Sequence, residues 1–182
     1  MKKYFVIGNP IEHSLSPRLH NFWIKENNLE AIYDKKKATN SEIKSLIQNV
    51  KNQNIQGLNV TVPFKKIVIQ YLDKLSPEAE KTQSVNTILY QKNSLTGYNT
   101  DIAGFTMAIK GLNFDMRDKK VFILGAGGVV PSIIYSLNKM QVSEIFISNR
   151  TRKKAEKIKN YFDDVKIHDW GNIPNFDVII NA

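Results

Sequence analysis

The segment from Lys120 to Met140 constrains the fold more than any other part of the chain. Lys120-Val121-Phe122-Ile123-Leu124 is a short apolar run of strand composition. Gly125-Ala126-Gly127-Gly128 follows, and apolar residues then recur at helical spacing from Val129 to about Met140. A strand that turns through glycines into a helix sets the helix N-terminus at the carboxyl end of the strand. There the glycines let the backbone approach a pyrophosphate, and the helix offers N–H groups and the positive end of its dipole. Val130 stands where a third glycine or alanine is usual, which should push the helix slightly off the strand. The same residues also fit a tight strand-to-helix turn that holds no ligand. Further strands at Glu144–Ser148, Val165–Ile167 and Asp177–Asn181, with a helix over Thr151–Phe162, predict the start of a doubly wound nucleotide-binding sheet.

The end of the second of these strands selects the nucleotide. It reads Ser148-Asn149-Arg150-Thr151-Arg152. An NAD site usually places an acidic residue here to bind the ribose hydroxyls, whereas an arginine pairs with a 2′-phosphate. Arg150 stands close to the ~20-residue offset expected from the first glycine. The reading is therefore NADP rather than NAD. The alternative is that Arg150 is an exposed charge at a helix start.

The N-terminal part alternates in the same way. A strand is expected over Lys3–Ile7, then a polar loop from Asn9 to Pro17. A helix over Arg18–Asn27 has Ser16 as its N-cap and Pro17 in its first turn. Ala31–Tyr33 reads as a strand. Ser41–Asn52 reads as an amphipathic helix capped by Asn40 or Ser41, with Ile43, Leu46, Ile47 and Val50 on one face. Gly57–Val62 is a strand running into Pro63, and Phe64–Leu75 a helix. Val85–Tyr90 and Ser94–Tyr98 form a hairpin turning near Lys92-Asn93, and Asp101–Gly111 is a helix. The fold class is α/β with a largely parallel sheet: an N-terminal α/β domain over residues 1–104, then a partial Rossmann-like NADP-binding domain over residues 105–182.

Composition removes several alternatives. The 182 residues include no cysteine, which excludes disulfides and thiolate chemistry. No apolar run is long enough for a membrane span. The apolar run after Lys2-Lys3 is too short for a signal segment, so a cytoplasmic location is expected. The net charge is +9, but only four of the 26 basic residues are arginines. Without a recognised module or a basic face interleaved with aromatics, no nucleic-acid partner is expected. Lys35-Lys36-Lys37 reads as a solvated loop or helix face. A basic surface suits an anionic small molecule or a phosphate-rich cofactor. His13, His20 and His168 lack companion ligands, so no metal is expected.

Three polar clusters fall at strand ends of the N-terminal part: Ser14 with Ser16, Asn59-Val60-Thr61 with Lys65, and Asn86-Thr87 with Asn99-Thr100-Asp101. Carboxyl ends of strands are where α/β sheets bind ligands. Hydroxyls and an ammonium can hold a carboxylate, and amides can bind ring hydroxyls, so the set suits a small polyhydroxy acid. Taken singly, Ser14 and Ser16 also fit capping roles, Asn59 a turn, and Lys65 an exposed helix start.

These residues together resemble the shikimate dehydrogenase family. The resemblance is carried by Asn9-Pro10 with Ser14-x-Ser16-Pro17, by Asn59-Val60-Thr61-x-Pro63-x-Lys65, and by Val85-Asn86-Thr87. Gly97-x-Asn99-Thr100-Asp101-x-x-Gly104, Gly125-Ala126-Gly127-Gly128 and Asn149-Arg150-Thr151 complete it, in family order and spacing across the whole chain. It implies NADP-dependent, reversible reduction of 3-dehydroshikimate to shikimate in aromatic amino-acid (chorismate) biosynthesis. It implies that Ser14, Ser16 and Thr61 hold the substrate carboxylate and that Asn86 and Asp101 bind ring hydroxyls, with Asn59 in the substrate-binding set. Lys65 and Asp101 match the catalytic pair. Gly125, Ala126, Gly127, Gly128 and Val129 would hold the pyrophosphate, and Asn149, Arg150 and Thr151 the adenosine ribose phosphate. Lys154 stands where the family often has a second arginine, and a lysine keeps the charge but loses the bidentate fork.

The sequence departs from the family at Ser84, where alanine is usual, and at Val130-Pro131, where small or polar residues follow the glycine turn. The resemblance ends at Asn181-Ala182, short of the family's nicotinamide-side strands and its closing helices, one of which carries a substrate-contacting glutamine. A non-catalytic remnant that binds shikimate or nucleotide, and a quinate/shikimate dehydrogenase, are the competing expectations. Exposed apolar surface and a tendency to aggregate are expected of a chain without those helices. The sequence leaves monomer and homodimer open.

Overall fold

In the computed structural model, which describes residues 1–182, the chain divides into two units, Met1–Asn99 and Thr100–Ala182. The boundary expected after Gly104 falls inside a helix that belongs wholly to the second unit.

The first unit contains β1 (Lys2–Gly8), α1 (Ser16–Glu26), β2 (Ala31–Lys37), α2 (Ile43–Lys51) and β3 (Gly57–Val60). A 3₁₀ turn (Ile67–Tyr71), β4 (Lys74–Leu75), α3 (Pro77–Thr82), β5 (Thr87–Gln91) and β6 (Ser94–Tyr98) complete it. Its sheet runs β2-β1-β3-β5-β6-β4. β1 pairs parallel with β2 and β3, while β5 is antiparallel to both β3 and β6, so the sheet is mixed. The β5–β6 hairpin turns at Lys92 (φ 50°) and Asn93 (φ 57°), the left-handed pair that a two-residue hairpin requires. The apolar stripe of α2 is buried as its spacing predicts: Ile43, Leu46, Ile47 and Val50 pack with Ile7, Leu58, Phe64, Val68 and Ile88. Each such side chain contributes about 1.5–3 kcal/mol of burial.

Four local expectations are corrected here. Lys35-Lys36-Lys37 is neither loop nor helix face but the end of β2, at the sheet edge, where exposed lysines discourage edge-to-edge pairing. Ser16 is the first residue of α1 rather than its cap; its N–H donates to Ser14 Oγ at 3.3 Å. Helix α2 starts after Glu42, whose carboxylate accepts from the Thr39 N–H at 2.8 Å and hydroxyl at 2.7 Å, so neither Asn40 nor Ser41 caps it. Phe64–Leu75 forms only the 3₁₀ turn and β4, because the β-branched run Ile67-Val68-Ile69 is a poor helix former and Phe64 and Val68 are fixed in the core. Helix α3 was not foreseen, although Ser76-Pro77 carries its signal: Ser76 Oγ accepts from the Ala79 N–H at 3.2 Å.

The second unit contains α4 (Asp101–Gly111), β7 (Lys120–Leu124), α5 (Val130–Lys139), β8 (Glu144–Ser148), α6 (Arg152–Lys159), β9 (Val165–Ile167) and β10 (Val178–Asn181). All four strands are parallel, in the order β10-β7-β8-β9. The chain reverses its direction of strand addition at β7, which leaves a crevice between the carboxyl ends of β7 and β10. Val121, Ile123, Ile145 and Ile147 meet Val130, Ile133, Ile134 and Leu137 of α5 and Ala155 and Ile158 of α6. Val130 is fully buried, so the third position of the glycine turn serves as a core contact.

Candidate functional site

In the first unit, Ser14, Ser16 and Thr61 line one pocket of about 290 Å³ with Val6, Pro10, Ile11 and His13. The loop that carries the serines is anchored by buried Ile11, whose carbonyl accepts from the Ser14 N–H at 3.0 Å. Glu12 braces it from outside. Its carboxylate accepts from the Ile11 N–H at 2.9 Å and pairs with Lys37 at 3.4 Å, and its carbonyl accepts from the Lys35 ammonium. Backbone N–H groups of Glu12 and Ile11, then Lys37, pull the Glu12 carboxyl down to about 2. Thr61 enters from the end of β3, where its N–H donates to the Ile7 carbonyl at 2.9 Å. Three hydroxyl-bearing residues lining one concavity offer a donor set for a carboxylate.

Lys65 follows on the same segment and is half-buried. The Phe64 N–H donates to the Thr61 carbonyl at 2.9 Å, and the Lys65 carbonyl accepts from the Val85 N–H at 2.9 Å. Buried Phe64 thus pins the lysine's backbone to the residue before Asn86. Asn59 does not sit in a turn. It lies within β3, and its amide is engaged inside the protein: Oδ1 accepts from the Tyr33 hydroxyl at 2.7 Å. Its Nδ2 donates to the Asn86 carbonyl at 3.2 Å and to Thr87 Oγ1 at 3.0 Å. Thr87 Oγ1 donates in turn to Asn86 Oδ1 at 3.1 Å. Asn59 and Asn86 are therefore brought together, as partners in one network. Tyr33 and His13 are the residues of this region that sequence reasoning missed.

In the second unit, Asp101 is the first residue of α4, where its charge favours the helix dipole. A cleft of about 300 Å³ is lined by Leu124, Gly125, Asn149, Arg150, Trp170, Asn181 and Ala182. Gly125 has φ +122°, and a Cβ there would stand 1.6 Å from the Ala182 carbonyl oxygen, so only glycine fits. Gly127 and Gly128 are exposed, and a Cβ on either would meet nothing within 4 Å. Ala126 and Val129 pack partly against the core beneath the turn. Asn149 Nδ2 donates to the Thr151 carbonyl at 2.8 Å and shapes the loop that carries Arg150. Arg152 is neutralised by Glu156 at 3.0 Å and by Asp169, whereas Arg150 enters no such pair. Lys154 is exposed on the first turn of α6.

Trp170 was also missed. It is 61% exposed yet lines the cleft with Arg150. An aromatic just beyond the third strand of a nucleotide-binding sheet was its only sequence signal. Gly125, an unpaired guanidinium and an indole line one cleft, a set that suits the phosphates and base of a phosphorylated dinucleotide.

Comparison with known proteins is consistent with both units. Residues 6–88 match the family model "Shikimate dehydrogenase substrate binding domain", and residues 106–182 match "Shikimate / quinate 5-dehydrogenase". A shikimate dehydrogenase (NADP(+)) from Pelagibacter ubique is 52% identical across all of this chain, which covers 69% of that protein. The chain belongs to the NADP-dependent shikimate dehydrogenase family. The crystal structure of the shikimate dehydrogenase 1 of Peptoclostridium difficile superposes with a TM-score of 0.90 at 34% identity, over 100% of this chain and 67% of that one. The Thermus thermophilus shikimate dehydrogenase, solved with NADP(H) and shikimate, gives a TM-score of 0.87 at 29% identity, over 100% of this chain and 68% of that one. The chain thus spans about two thirds of the length of these shikimate dehydrogenases. None of its helices is long and apolar enough to cross a membrane.

Proposed function

We propose that this chain binds shikimate in the first unit and NADP in the second, and that it catalyses the reversible reduction of 3-dehydroshikimate to shikimate. The observation that carries the reading is the convergence of Ser14, Ser16 and Thr61 on one pocket. Their hydroxyls bind the substrate carboxylate. Asn86 binds a ring hydroxyl, and Asn59 acts behind it rather than on the substrate. Asp101 binds a further ring hydroxyl.

Bound NADPH supplies the hydride that the carbonyl carbon of 3-dehydroshikimate takes up. The carbonyl π pair moves to oxygen, and the developing alkoxide takes a proton from the Lys65 ammonium, giving shikimate and a neutral amine. In the reverse direction the Lys65 amine removes the hydroxyl proton. Gly125, Ala126, Gly127, Gly128 and Val129 hold the pyrophosphate at the start of α5. Asn149, Arg150, Thr151 and Lys154 hold the ribose 2′-phosphate. A cytoplasmic setting and a homodimer belong to the same reading, and sedimentation of the purified chain tests the homodimer.

The test is shikimate-dependent reduction of NADP by the purified 182-residue chain, followed at the absorbance of NADPH, with NAD and quinate as comparisons and shikimate binding measured by calorimetry. Turnover with shikimate and NADP above that with quinate or NAD is the expected result. Binding without turnover would overturn the catalytic part of the proposal, and no binding would overturn all of it.

A further inference from the structure

We infer that Tyr33, on the edge strand β2, is a positioning residue that sets the orientation of the substrate-binding amide of Asn86 through Asn59 and Thr87. The inference rests on the proposed role of Asn86. Donor and acceptor types fix each link. An amide nitrogen only donates and an amide oxygen only accepts. The Asn86 backbone carbonyl, 3.2 Å from Asn59 Nδ2, has no proton to give, so it fixes which end of the Asn59 amide points toward β5. Asn59 Oδ1 therefore faces the Tyr33 hydroxyl at 2.7 Å, and the phenol must be the donor. Asn59 Nδ2 also donates to Thr87 Oγ1 at 3.0 Å. Thr87 has a single hydroxyl proton, which then goes to Asn86 Oδ1 at 3.1 Å. The Asn86 amide is thus held by its oxygen, and its NH₂ is the end turned away from Thr87. A substrate hydroxyl meeting that end is met by a donor.

Tyr33 is built to hold its place. It is 5% exposed. Asn21 brackets its backbone, with Nδ2 donating to the Tyr33 carbonyl at 2.7 Å and Oδ1 accepting from the Tyr33 N–H at 3.0 Å. The His20 ring stacks on the phenol at 4.1 Å with 7° between planes. Burial raises the phenol above its ordinary value and keeps its proton available. Tyr33 lies 26 residues from Asn59 in sequence, and its hydroxyl bonds Asn59 rather than Asn86, so an effect of that hydroxyl on Asn86 has to pass along the chain of bonds.

The experiment uses the full chain and three variants: Tyr33→Phe, Thr87→Val and Thr87→Ser. Valine preserves the shape of threonine and suits a strand, so Thr87→Val keeps β5. Shikimate and NADP binding are measured by calorimetry, and the Asn86 side-chain amide is followed in ¹H–¹⁵N spectra of the ligand-free protein. Tyr33→Phe and Thr87→Val are expected to weaken shikimate binding about five- to tenfold, the scale of one lost hydrogen bond, with NADP binding unchanged. Both shift the Asn86 NH₂ resonances, and Thr87→Ser restores both properties. An Asn86 amide that ignores Tyr33→Phe, or a Thr87→Val variant that binds shikimate like the parent, overturns the relay. A parent chain that fails to bind shikimate while its Asn86 amide responds to Tyr33→Phe supports the relay and overturns the substrate assignment.

Discussion

A methyl group placed on Gly8 would lie 2.5 Å from Cγ2 of Thr61. That approach is far inside van der Waals contact, so the last residue of β1 must be glycine for Thr61 to reach its pocket. Gly8→Ala is expected to push Thr61 aside. Overpacking of this kind costs about 1–3 kcal/mol. Thermal melts should show a modest loss, while calorimetry should show shikimate affinity falling further than the melts alone would suggest. Unchanged affinity in a folded variant would separate Thr61 from carboxylate binding.

Lys65 is the group asked to move a proton. Lys65→Ala is expected to lower turnover about 10²–10⁴-fold, the usual share of a general acid–base, with a smaller change in shikimate affinity. A fall in affinity alone, with turnover at saturation preserved, would make Lys65 a binding residue.

Arg150 and Trp170 share a cleft with Gly125. A guanidinium that reads a 2′-phosphate contributes about 1.5–3 kcal/mol as a charged hydrogen bond. Arg150→Gln should therefore weaken NADP about ten- to a hundredfold and leave NAD nearly unchanged. Titration with NADP should also quench indole fluorescence, and Trp170→Phe should remove that quench while leaving the signal of Trp23. A parallel loss for NAD and NADP would place Arg150 elsewhere in the cofactor site.

Glu12 links acid stability to the serine loop. Its carboxyl stands at about 2 in the folded chain against 4.5 unfolded. A depressed carboxylate contributes stability above the unfolded value and loses it as the pH falls toward the folded one. The melting-temperature difference between the parent and Glu12→Gln should be widest above pH 4.5 and close as the pH falls toward 2. A difference that does not vary over that window would show that the Lys37 and backbone bonds do not act in solution.

Elements whose pattern is local were legible in advance. The glycine turn, the parallel strands around it, the α2 stripe and the Lys92-Asn93 turn each follow from spacing and residue type. The polar motifs were legible as residues, and Ser14, Ser16 and Thr61 do line one pocket. Asn59 was read only in part, because its type suits a ligand or a turn and only its neighbours show that its amide is spent on Tyr33, Asn86 and Thr87.

The amino-acid sequence by itself determined the family, the α/β alternation and the glycine turn after β7, since these rest on short-range order and on side-chain chemistry. The tertiary structure alone decided that Lys35-Lys36-Lys37 would be a sheet edge and that Phe64–Leu75 would not be a helix. It alone decided that Tyr33 would meet Asn59 across the sheet and that Trp170 would join the cleft of Gly125. Each of these depends on which strand lies beside which, and that order is set by burying apolar faces contributed by distant segments rather than by any local spacing.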